Sequence, residues 1–379
     1  MIQGDILRQF YDDLLGDVAE KIQISPTAYK EAVAHFDTVA AYIHEEMSGL
    51  AHLDPVIYPQ GSFRMGSTIS AYDDREDYDI DLLLELSIHQ FSAPDQVLAL
   101  VAKALERAKG RLQFQSLEVK KRCVTLWYKN MHLDVTPAVL IPGRQARTIG
   151  IFDLHPERPD HAFANPEGFA QWFDGMVRPR VVMDMRKVHA STVPVPQQKP
   201  AEMKTTRLLS VQLLKRFRDI HCDKHDYDRM PSVLLSKIAA EAPRGRGLLS
   251  DLRSVAAYMA PVVARPLHVE NPACQEDVLS DRWPKKAKSQ RMLSDDLNHL
   301  VRKLDELLEE GTQVAKKQII RELFGENAAA EGYHRASERA AAKSREGTFA
   351  VAAAGGMGTA ASSAKPMVAP KHRFFGDPV

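Results

Sequence analysis

The sequence predicts an α+β protein, in which a mixed sheet flanked by helices is followed by a helical C-terminal lobe. Between Val56 and Leu140, several short segments alternate or run apolar as strands do, and a helical segment separates them. After Pro200, apolar residues recur at the three- and four-residue spacing of helices. Hydrophobic residues make up 44% of the 379 residues and charged residues 26%, which is typical of a globular protein.

The predicted elements follow local patterns along the chain. Residues 5–50 form two helices, separated at Ser25-Pro26 because serine caps a helix N-terminus and proline fits its first turn. Tyr78–Leu86 mixes alternation with an apolar run, which predicts a largely buried strand. Val119–Tyr128 and Met131–Leu140 predict the two strands of a hairpin.

These patterns divide the chain into four parts. N-terminal helices at 1–50 bridge two lobes, the α/β core spans 51–200, and a helical lobe that completes the site spans 201–327. Residues 328–379 are rich in alanine, glycine and serine, so they offer little apolar area against an ordering cost of about 1–2 kcal/mol per residue. We therefore expect a frayed helix and then a flexible tail, whose Phe374-Phe375 pair suits docking to a partner.

Charge and cysteine usage narrow the class of protein. Fifty basic residues balance fifty acidic ones, which argues against a protein that coats long nucleic acid. The cysteines Cys123, Cys222 and Cys274 stand singly, so they predict neither a disulfide framework nor a zinc motif, but a reducing cytoplasm. The sequence has no apolar run long enough to span a bilayer. It also lacks the pattern of a signal peptide.

Three short pieces of sequence predict the chemistry. Asp79 and Asp81 are two positions apart in a predicted strand, so both project from one face while their apolar neighbours enter the core. Asp134 lies in a later strand and completes a candidate two-metal site, since Mg²⁺ prefers carboxylates and substrate phosphates. Gly61 and Ser62 lie in a turn after a short strand, where a close backbone approach and a hydroxyl suit phosphate.

Each of these residues has a structural alternative. An isolated Asp-x-Asp pair is more often a solvated surface, but the apolar residues around this pair and the order of the three pieces favour a site. His132 is interpreted as packed or supporting rather than ligating, and Trp172 and Trp283 as core residues, whereas Arg64 suits either substrate contact or surface charge. The acidic residues expected to be solvated in the preceding loop are Asp73, Asp74, Glu76 and Asp77.

The motifs QGSFRMGSTI, DYDIDLLLEL and HLDVTPAV resemble those of the DNA polymerase β-like nucleotidyltransferases. Later segments, among them NPEGFAQWF, VQLLKRFRD and NPACQEDVLSDRWP, are similar to the bacterial CD-NTases. These relatives of cyclic GMP-AMP synthase make signalling nucleotides in anti-phage CBASS operons. The resemblance covers about residues 40–327 and implies a polymerase β-like core.

The resemblance also implies cofactors and site residues. It implies two Mg²⁺ ions, with Mn²⁺ as a substitute, held by Asp79, Asp81 and Asp134. The residues implied to grip the donor triphosphate are Gly61, Ser62, Lys215 and Ser232. For Lys215 and Ser232, the structural alternatives are a solvated helix lysine and a plain helix N-cap.

We therefore expect a cytoplasmic enzyme that joins ATP, and other nucleoside triphosphates, into a cyclic di- or trinucleotide with release of pyrophosphate. Adenine is the expected base. The downstream effector would bind the product, and an accessory CBASS protein would contact the tail. No membrane association and no stable nucleic-acid complex are expected. The alternatives are a synthase of linear oligonucleotides, nucleotidyl transfer to RNA or protein, and a catalytically dead nucleotide-binding module, against which the three intact aspartates argue.

Overall fold

A computed structural model describes residues 2–72, 78–144, 147–154, 162–178, 191–309, 311–345, 349–351 and 357–359. The helices are α1 Ile2–Lys21, α2 Pro26–Ile43, α3 Gly61–Met65, α4 Pro94–Arg107, α5 Lys109–Leu112, α6 Pro166–Val177, α7 Thr206–His225, α8 Ser232–Glu241, α9 Leu248–Val263, α10 Lys288–Glu306, α11 Gln313–Phe324 and α12 Glu326–Arg345. The strands are β1 Val56–Pro59, β2 Tyr78–Glu85, β3 Ser116–Val119, β4 Val124–Trp127, β5 Met131–Leu140, β6 Ile149–Ile151, β7 Ala162–Ala164, β8 Glu270–Asn271, β9 Cys274–Val278, β10 Phe349–Val351 and β11 Met357–Thr359.

A mixed sheet forms the first half of the molecule, with β5 near its centre. Its strand order is β1-β2-β5-β4-β3, and β6 and β7 extend it beside the C-terminal end of β5. β2 and β5 pair in parallel, whereas the other neighbouring strands of this sheet are antiparallel. Helices flank the sheet and a helical region follows it, so the predicted fold class is confirmed.

The two faces of the sheet carry different chemistry. Residues of α2 and α4 cover one face and pack on Ile80, Leu82 and Leu133, all of which are fully buried. Because successive side chains of a strand point to opposite faces, Asp79 and Asp81 lie on the other face of β2. The predicted alternation in this strand is confirmed, and the carboxylates lie outside the apolar core.

A second apolar core joins α1 with the helices from α6 onward. Its fully buried members include Leu14, Phe173, Phe217, Leu252 and Leu300. α2 packs on the sheet instead, so the two N-terminal helices contact different cores. The division at 1–50, 51–200 and 201–327 stays a prediction.

Local signals set several helix boundaries where the sequence places them. The Ser25 hydroxyl accepts a hydrogen bond from the Ala28 amide at 3.2 Å and caps α2. Asn165 Oδ1 accepts one from the Gly168 amide at 2.8 Å and caps α6. The interruption predicted near Gly311 separates α10 from α11.

Two expectations for the sheet region need correction. The segment Val119–Tyr128 is not one strand, because the chain reverses at the basic residues Lys120–Arg122 and forms the antiparallel pair β3 and β4. The predicted glycine-serine turn begins the short helix α3 instead. Phe63 and Met65 anchor this helix by packing into the sheet core and the helical core, respectively.

The expectation of a frayed helix and a flexible tail from residue 328 is wrong for the first part of that segment. α12 packs along α1, and Ala328 and Ala329 are buried. Gly332 approaches α1 so closely that a Cβ at this position would lie 2.9 Å from Val18 Cγ2. Small residues therefore let two helix backbones come together, and close packing supplies the contact area that composition alone did not suggest.

Charged and backbone contacts continue this packing. The Arg339 guanidinium of α12 donates to the Asp17 carboxylate of α1 at 2.7 Å. β10 and β11 pair beyond α12, and β11 lies against α1 and α12. Phe374-Phe375 falls outside the described residues. Within the described part of the chain, none of the helices is both long and apolar enough to cross a bilayer.

Two truncations test the role of α12. A chain ending at Arg345 keeps α12 but lacks β10 and β11, so it is the reference for the effect of α12. A chain ending at Asn327 exposes the facing side of α1, and losing even ~100 Å² of apolar burial costs about 2.5 kcal/mol, which corresponds to roughly 3 °C in melting temperature. Differential scanning calorimetry measures both. Equal melting temperatures for the two truncations would show that α12 does not stabilise α1.

Candidate active site

The parallel pairing of β2 with β5 brings the three predicted carboxylates together. In this register Asp81 lies opposite Asp134, and Asp79 lies opposite His132. These four residues alternate with the apolar residues that face α2 and α4, so they share the other face of the sheet. The structure thus places Asp79, Asp81 and Asp134 in one group.

Polar groups on neighbouring strands hold Asp134 in place. The Thr125 hydroxyl of β4 donates to Asp134 Oδ1 at 2.5 Å, and Lys120 Nζ lies 3.6 Å from the same oxygen. His132 Nε2 lies 3.4 Å from Asp79 Oδ1. The ligand atoms of Asp79, His132 and Asp134 all lie within 4.8 Å of one another, so His132 is close enough to support or to join a metal site, and its supporting role stays a prediction.

Crowded negative charge changes the protonation of this group. Asp79 lies at the open edge of this group, with 48% of its side chain exposed, whereas the side chain of Asp134 is 16% exposed. Burial, and then the charge of Asp134, raise the pKa of Asp79 to about 7. Burial, followed by the charges of Asp79 and Asp134, raises the pKa of Asp81 well above its ordinary value. A divalent cation fits these oxygen donors because it offsets the charge that raises both pKa values.

Gly61 begins α3 in direct contact with this group. Its φ is +60°, and a Cβ at this position would lie 2.2 Å from Asp81 Oδ2. The Gln60 amide donates to the Asp81 carbonyl at 2.9 Å, which fixes the approach of α3 to β2. The Ser62 hydroxyl accepts from the Thr68 hydroxyl at 3.2 Å. Both the backbone angle and the contact therefore require glycine at position 61.

Cationic groups of α7 face the carboxylates. Lys215 is 2% exposed, and its Nζ donates to the Ser67 carbonyl at 3.1 Å and to the Ser67 hydroxyl at 3.0 Å. Burial, followed by the charge of Arg218, lowers the pKa of Lys215 to about 7. Arg218 Nη1 donates to the Ser232 hydroxyl at 3.1 Å. Pro231 occupies the N-cap of α8, so Ser232 is the first helical residue and not the cap that the sequence suggested.

One cleft of about 790 Å³ collects these groups between the sheet and the helical region. The predicted site residues that line it are Gly61, Ser62, Asp79, Asp81, Asp134, Lys215 and Ser232. Further polar lining comes from Arg122, Arg218, Asn271, Asp277 and Arg282. One wall therefore carries the carboxylates of β2 and β5, and α7 on the facing wall contributes Lys215 and Arg218, the latter paired with Asp219 at 2.6 Å.

Several contributors were missed by the sequence reasoning, and two of them had a usable signal. Arg218 follows Lys215 by three positions, which places both on one helix face. Thr125 pairs with Asp134 in the β4–β5 register, so an exact hairpin alignment would have identified it. The contact of Ser67 with Lys215 joins distant segments, and no local pattern predicts it.

Other residues singled out from the sequence have structural contacts. The Arg64 guanidinium pairs with Glu167 at 2.9 Å and with Asp174 at 3.3 Å, which ties α3 to α6. Trp283 is buried and Trp172 is partly buried, and both pack on the helical core as expected. The acidic loop expected to be solvated, residues 73–77, lies outside the described residues.

Comparisons with known proteins agree with this arrangement. Residues 55–137 match the family model "Cyclic GMP-AMP synthase DncV-like, nucleotidyltransferase domain". The cyclic dinucleotide synthase CdnG of Bradyrhizobium diazoefficiens is 26% identical over 398 aligned residues, covering 97% of this chain and 94% of the relative. A c-di-GMP synthase of Roseivirga ehrenbergii is 24% identical over 299 residues, covering 76% of this chain and 77% of the relative.

Solved structures share the fold. The Bradyrhizobium CdnG structure in complex with GTP has a TM-score of 0.69 and 24% identity, covering 86% of this chain and 98% of that one. CdnC of Escherichia coli MS115-1, in a complex with HORMA-deltaN, has a TM-score of 0.60 and 11% identity, covering 84% of this chain and 97% of that one.

A mixed sheet that presents carboxylates from adjacent strands, facing a cleft completed by helices, is the arrangement of the polymerase β-like fold. The family model over residues 55–137, the two curated relatives and the shared fold together support a bacterial CD-NTase. It is therefore a nucleotidyltransferase, and its curated relatives are synthases of cyclic dinucleotides.

Gly61→Ala tests the contact with Asp81. The added methyl group displaces the carboxylate and strains the backbone, and a misplacement of about 1 Å costs up to ~100-fold in activity, so we expect kcat/KM for nucleotide to fall at least tenfold. Gly175→Ala in α6 is the matched control, because a Cβ there meets nothing within 4 Å. Unchanged kinetics in Gly61→Ala would mean that the position of Asp81 is not critical.

Asp79→Asn tests the carboxylate repulsion through stability. A folded-state pKa near 7, above the ordinary 3.8, means that wild-type stability falls as pH rises between these values. In EDTA, the variant should therefore gain melting temperature over the wild type at pH 8 and show a smaller gain at pH 5. Asp295→Asn, at an exposed position of α10, is the control. Thermal unfolding at both pH values measures the effect, and a gain that is larger at pH 5 would contradict it.

Proposed function

We propose that the chain is a Mg²⁺-dependent synthase that joins nucleoside triphosphates into a cyclic dinucleotide with release of pyrophosphate. The observation that carries the proposal is a shared cleft, where Asp79, Asp81 and Asp134 lie on one wall and Lys215 and Arg218 on the other. Triphosphates carry the negative charge that such a cationic wall attracts, and carboxylates bind the accompanying cation. The names of the two curated relatives support a cyclic dinucleotide as the product.

In this proposal Asp79, Asp81 and Asp134 hold two metal ions. Bound Mg²⁺ supplies Lewis-acid chemistry and lowers the pKa of an attacking hydroxyl. Asp134 has the further task of orienting the acceptor hydroxyl, because its own position is fixed by Thr125 and Lys120. Burial and neighbouring carboxylates raise the pKa values of Asp79 and Asp81, so their charged forms are unfavourable without a ligand. A bound cation offsets the repulsion between these carboxylates, and this favours metal binding.

The triphosphate is proposed to lie between α3 and the start of α8. Gly61 allows a close backbone approach, and the hydroxyls of Ser62 and Ser232 reach the cleft. A phosphate near Lys215 would raise the pKa of this ammonium group again, because an adjacent negative charge favours its protonated form. Arg218 holds Ser232 by a hydrogen bond at 3.1 Å and is itself held by an ion pair with Asp219 at 2.6 Å.

The relatives give a basis for proposing one base of the cyclic dinucleotide. Guanine is favoured as one base, because the related CdnG has a structure in complex with GTP and the Roseivirga relative is a c-di-GMP synthase. The adenine expectation remains a prediction, as do the role in anti-phage defence and the cytoplasmic location. The complex of CdnC with HORMA-deltaN supports proposing an accessory protein as a partner here.

Product analysis tests the function directly. The full-length protein is incubated with labelled GTP, labelled ATP or both, in Mg²⁺ or in EDTA, and the products are treated with phosphatase before chromatography. We expect a phosphatase-resistant product in Mg²⁺ and none with Asp134→Asn. Products that lose label to phosphatase would indicate linear oligonucleotides instead, and label retained on added RNA or on protein would indicate nucleotidyl transfer.

Lys215→Ala tests the triphosphate contact. A charge-assisted hydrogen bond contributes ~1.5–3 kcal/mol, so kcat/KM for the nucleotide should fall roughly ten- to a hundredfold, mainly through a higher KM. Ser232→Ala should act more weakly because Arg218 remains. Lys316→Ala is the matched control, since Lys316 is also a buried helical lysine but lies outside the cleft lining. Equal effects of Lys215→Ala and Lys316→Ala would remove Lys215 from the nucleotide site.

A further inference from the structure

A second cluster of metal-ligating side chains lies in the helical region. His221 and His225 are one helical turn apart on α7, and Asp296 faces them from α10. Their ligand atoms all lie within 4.8 Å of one another. None of the three is among the described residues that line the nucleotide cleft, so the cluster is separate from the proposed active site.

The distances within this cluster match those around a tetrahedral metal. Asp296 Oδ1 lies 3.0 Å from His225 Nδ1 and 3.7 Å from His221 Nδ1. Zinc bonds of about 2.0–2.1 Å at a tetrahedral angle separate two ligand atoms by roughly 3.3–3.4 Å. The observed separations lie on either side of this value, so small side-chain shifts are sufficient to place one ion between the three residues.

His221 lacks the hydrogen bonds that a buried histidine normally makes. It is 1% exposed, and neither ring nitrogen has a hydrogen-bond partner. The Phe217 ring stacks on it with ring centroids 4.0 Å apart. An unsatisfied buried polar group is costly and is usually explained by a water or an ion. Because Nδ1 is the nitrogen nearest Asp296, an ion at this position gives Nδ1 a partner and lowers that cost.

A further contact orients the carboxylate. The Tyr227 hydroxyl donates to Asp296 Oδ2 at 2.7 Å, while His225 Nδ1 lies 3.1 Å from Oδ2 and 3.0 Å from Oδ1, so both carboxylate oxygens face His225. Outer hydrogen bonds of this kind commonly fix metal ligands in proteins. His299 lies close by, but its Nε2 is hydrogen-bonded to Glu322 at 2.8 Å, so it is occupied elsewhere.

We propose that His221, His225 and Asp296 bind one zinc ion that joins α7 to α10. Two imidazoles and one carboxylate are typical zinc ligands, whereas Mg²⁺ and Ca²⁺ prefer more oxygen donors. The His225 side chain is 34% exposed, which leaves access for the ion and for a water as fourth ligand. Since α7 also carries Lys215 and Arg218, the ion stabilises the helix that forms the cationic wall of the cleft.

Zinc titration of the full-length protein tests this proposal. The protein carries Asp79→Asn and Asp134→Asn, so that the nucleotide cleft does not compete for the metal, and it is first stripped with EDTA and desalted. Isothermal titration with Zn²⁺ should give one ion per chain. At a free Zn²⁺ concentration of about 100 Kd, the melting temperature should rise by roughly 3 °C. No stoichiometric binding would overturn the proposal.

Variants in the same background locate the ion. His225→Gln is at the exposed edge and should weaken Zn²⁺ binding at least ~10-fold, as should Asp296→Asn, whereas the neighbouring His299→Gln should retain wild-type affinity. Circular dichroism checks that each variant is folded. The visible spectrum of bound Co²⁺ reports the coordination geometry without any substitution in the cluster. An octahedral Co²⁺ spectrum would contradict the site. Equal Zn²⁺ affinity in His225→Gln and His299→Gln would contradict it as well.

Discussion

The parallel register between β2 and β5 is the constraint on which the site depends. It places Asp81 opposite Asp134 and Asp79 opposite His132, on the sheet face that the apolar core does not cover. A slip of one residue would turn these side chains into the core and expose their apolar neighbours. The burial of Ile80 therefore fixes the register, and the register brings the carboxylates together.

The same grouping makes the site electrostatically unfavourable without its ligands. Burial and then the charge of Asp134 raise the pKa of Asp79 to about 7, while burial and then the charge of Arg218 lower the pKa of Lys215 to about 7. The pKa of Asp79 rises and the pKa of Lys215 falls, so the charged form is disfavoured in both residues. A cation relieves the first and a phosphate relieves the second, so bound metal and nucleotide stabilise the protonation states on which the proposed chemistry depends. Folding energy from both apolar cores holds these groups in place until the ligands bind.

Local sequence patterns predicted the fold class and the shared face of Asp79 and Asp81, because strand alternation and helix periodicity are local properties. They did not predict the packing of α12, where Gly332 acts by allowing close approach to α1 rather than by burying area. The start of α3 was also missed, since Phe63 and Met65 stabilise it through two different cores. Each error concerns contacts between distant segments. The roles of Lys215 and Ser232 remain predictions.

Anomalous scattering from crystals grown with Mn²⁺ and a non-hydrolysable GTP analogue tests the central claim most directly. The account predicts two Mn²⁺ peaks among the carboxylates of Asp79, Asp81 and Asp134, with the triphosphate extending from them toward Lys215. One position should be lost in Asp81→Asn crystals. Mn²⁺ peaks located away from these carboxylates, or a triphosphate bound outside the cleft, would contradict the account.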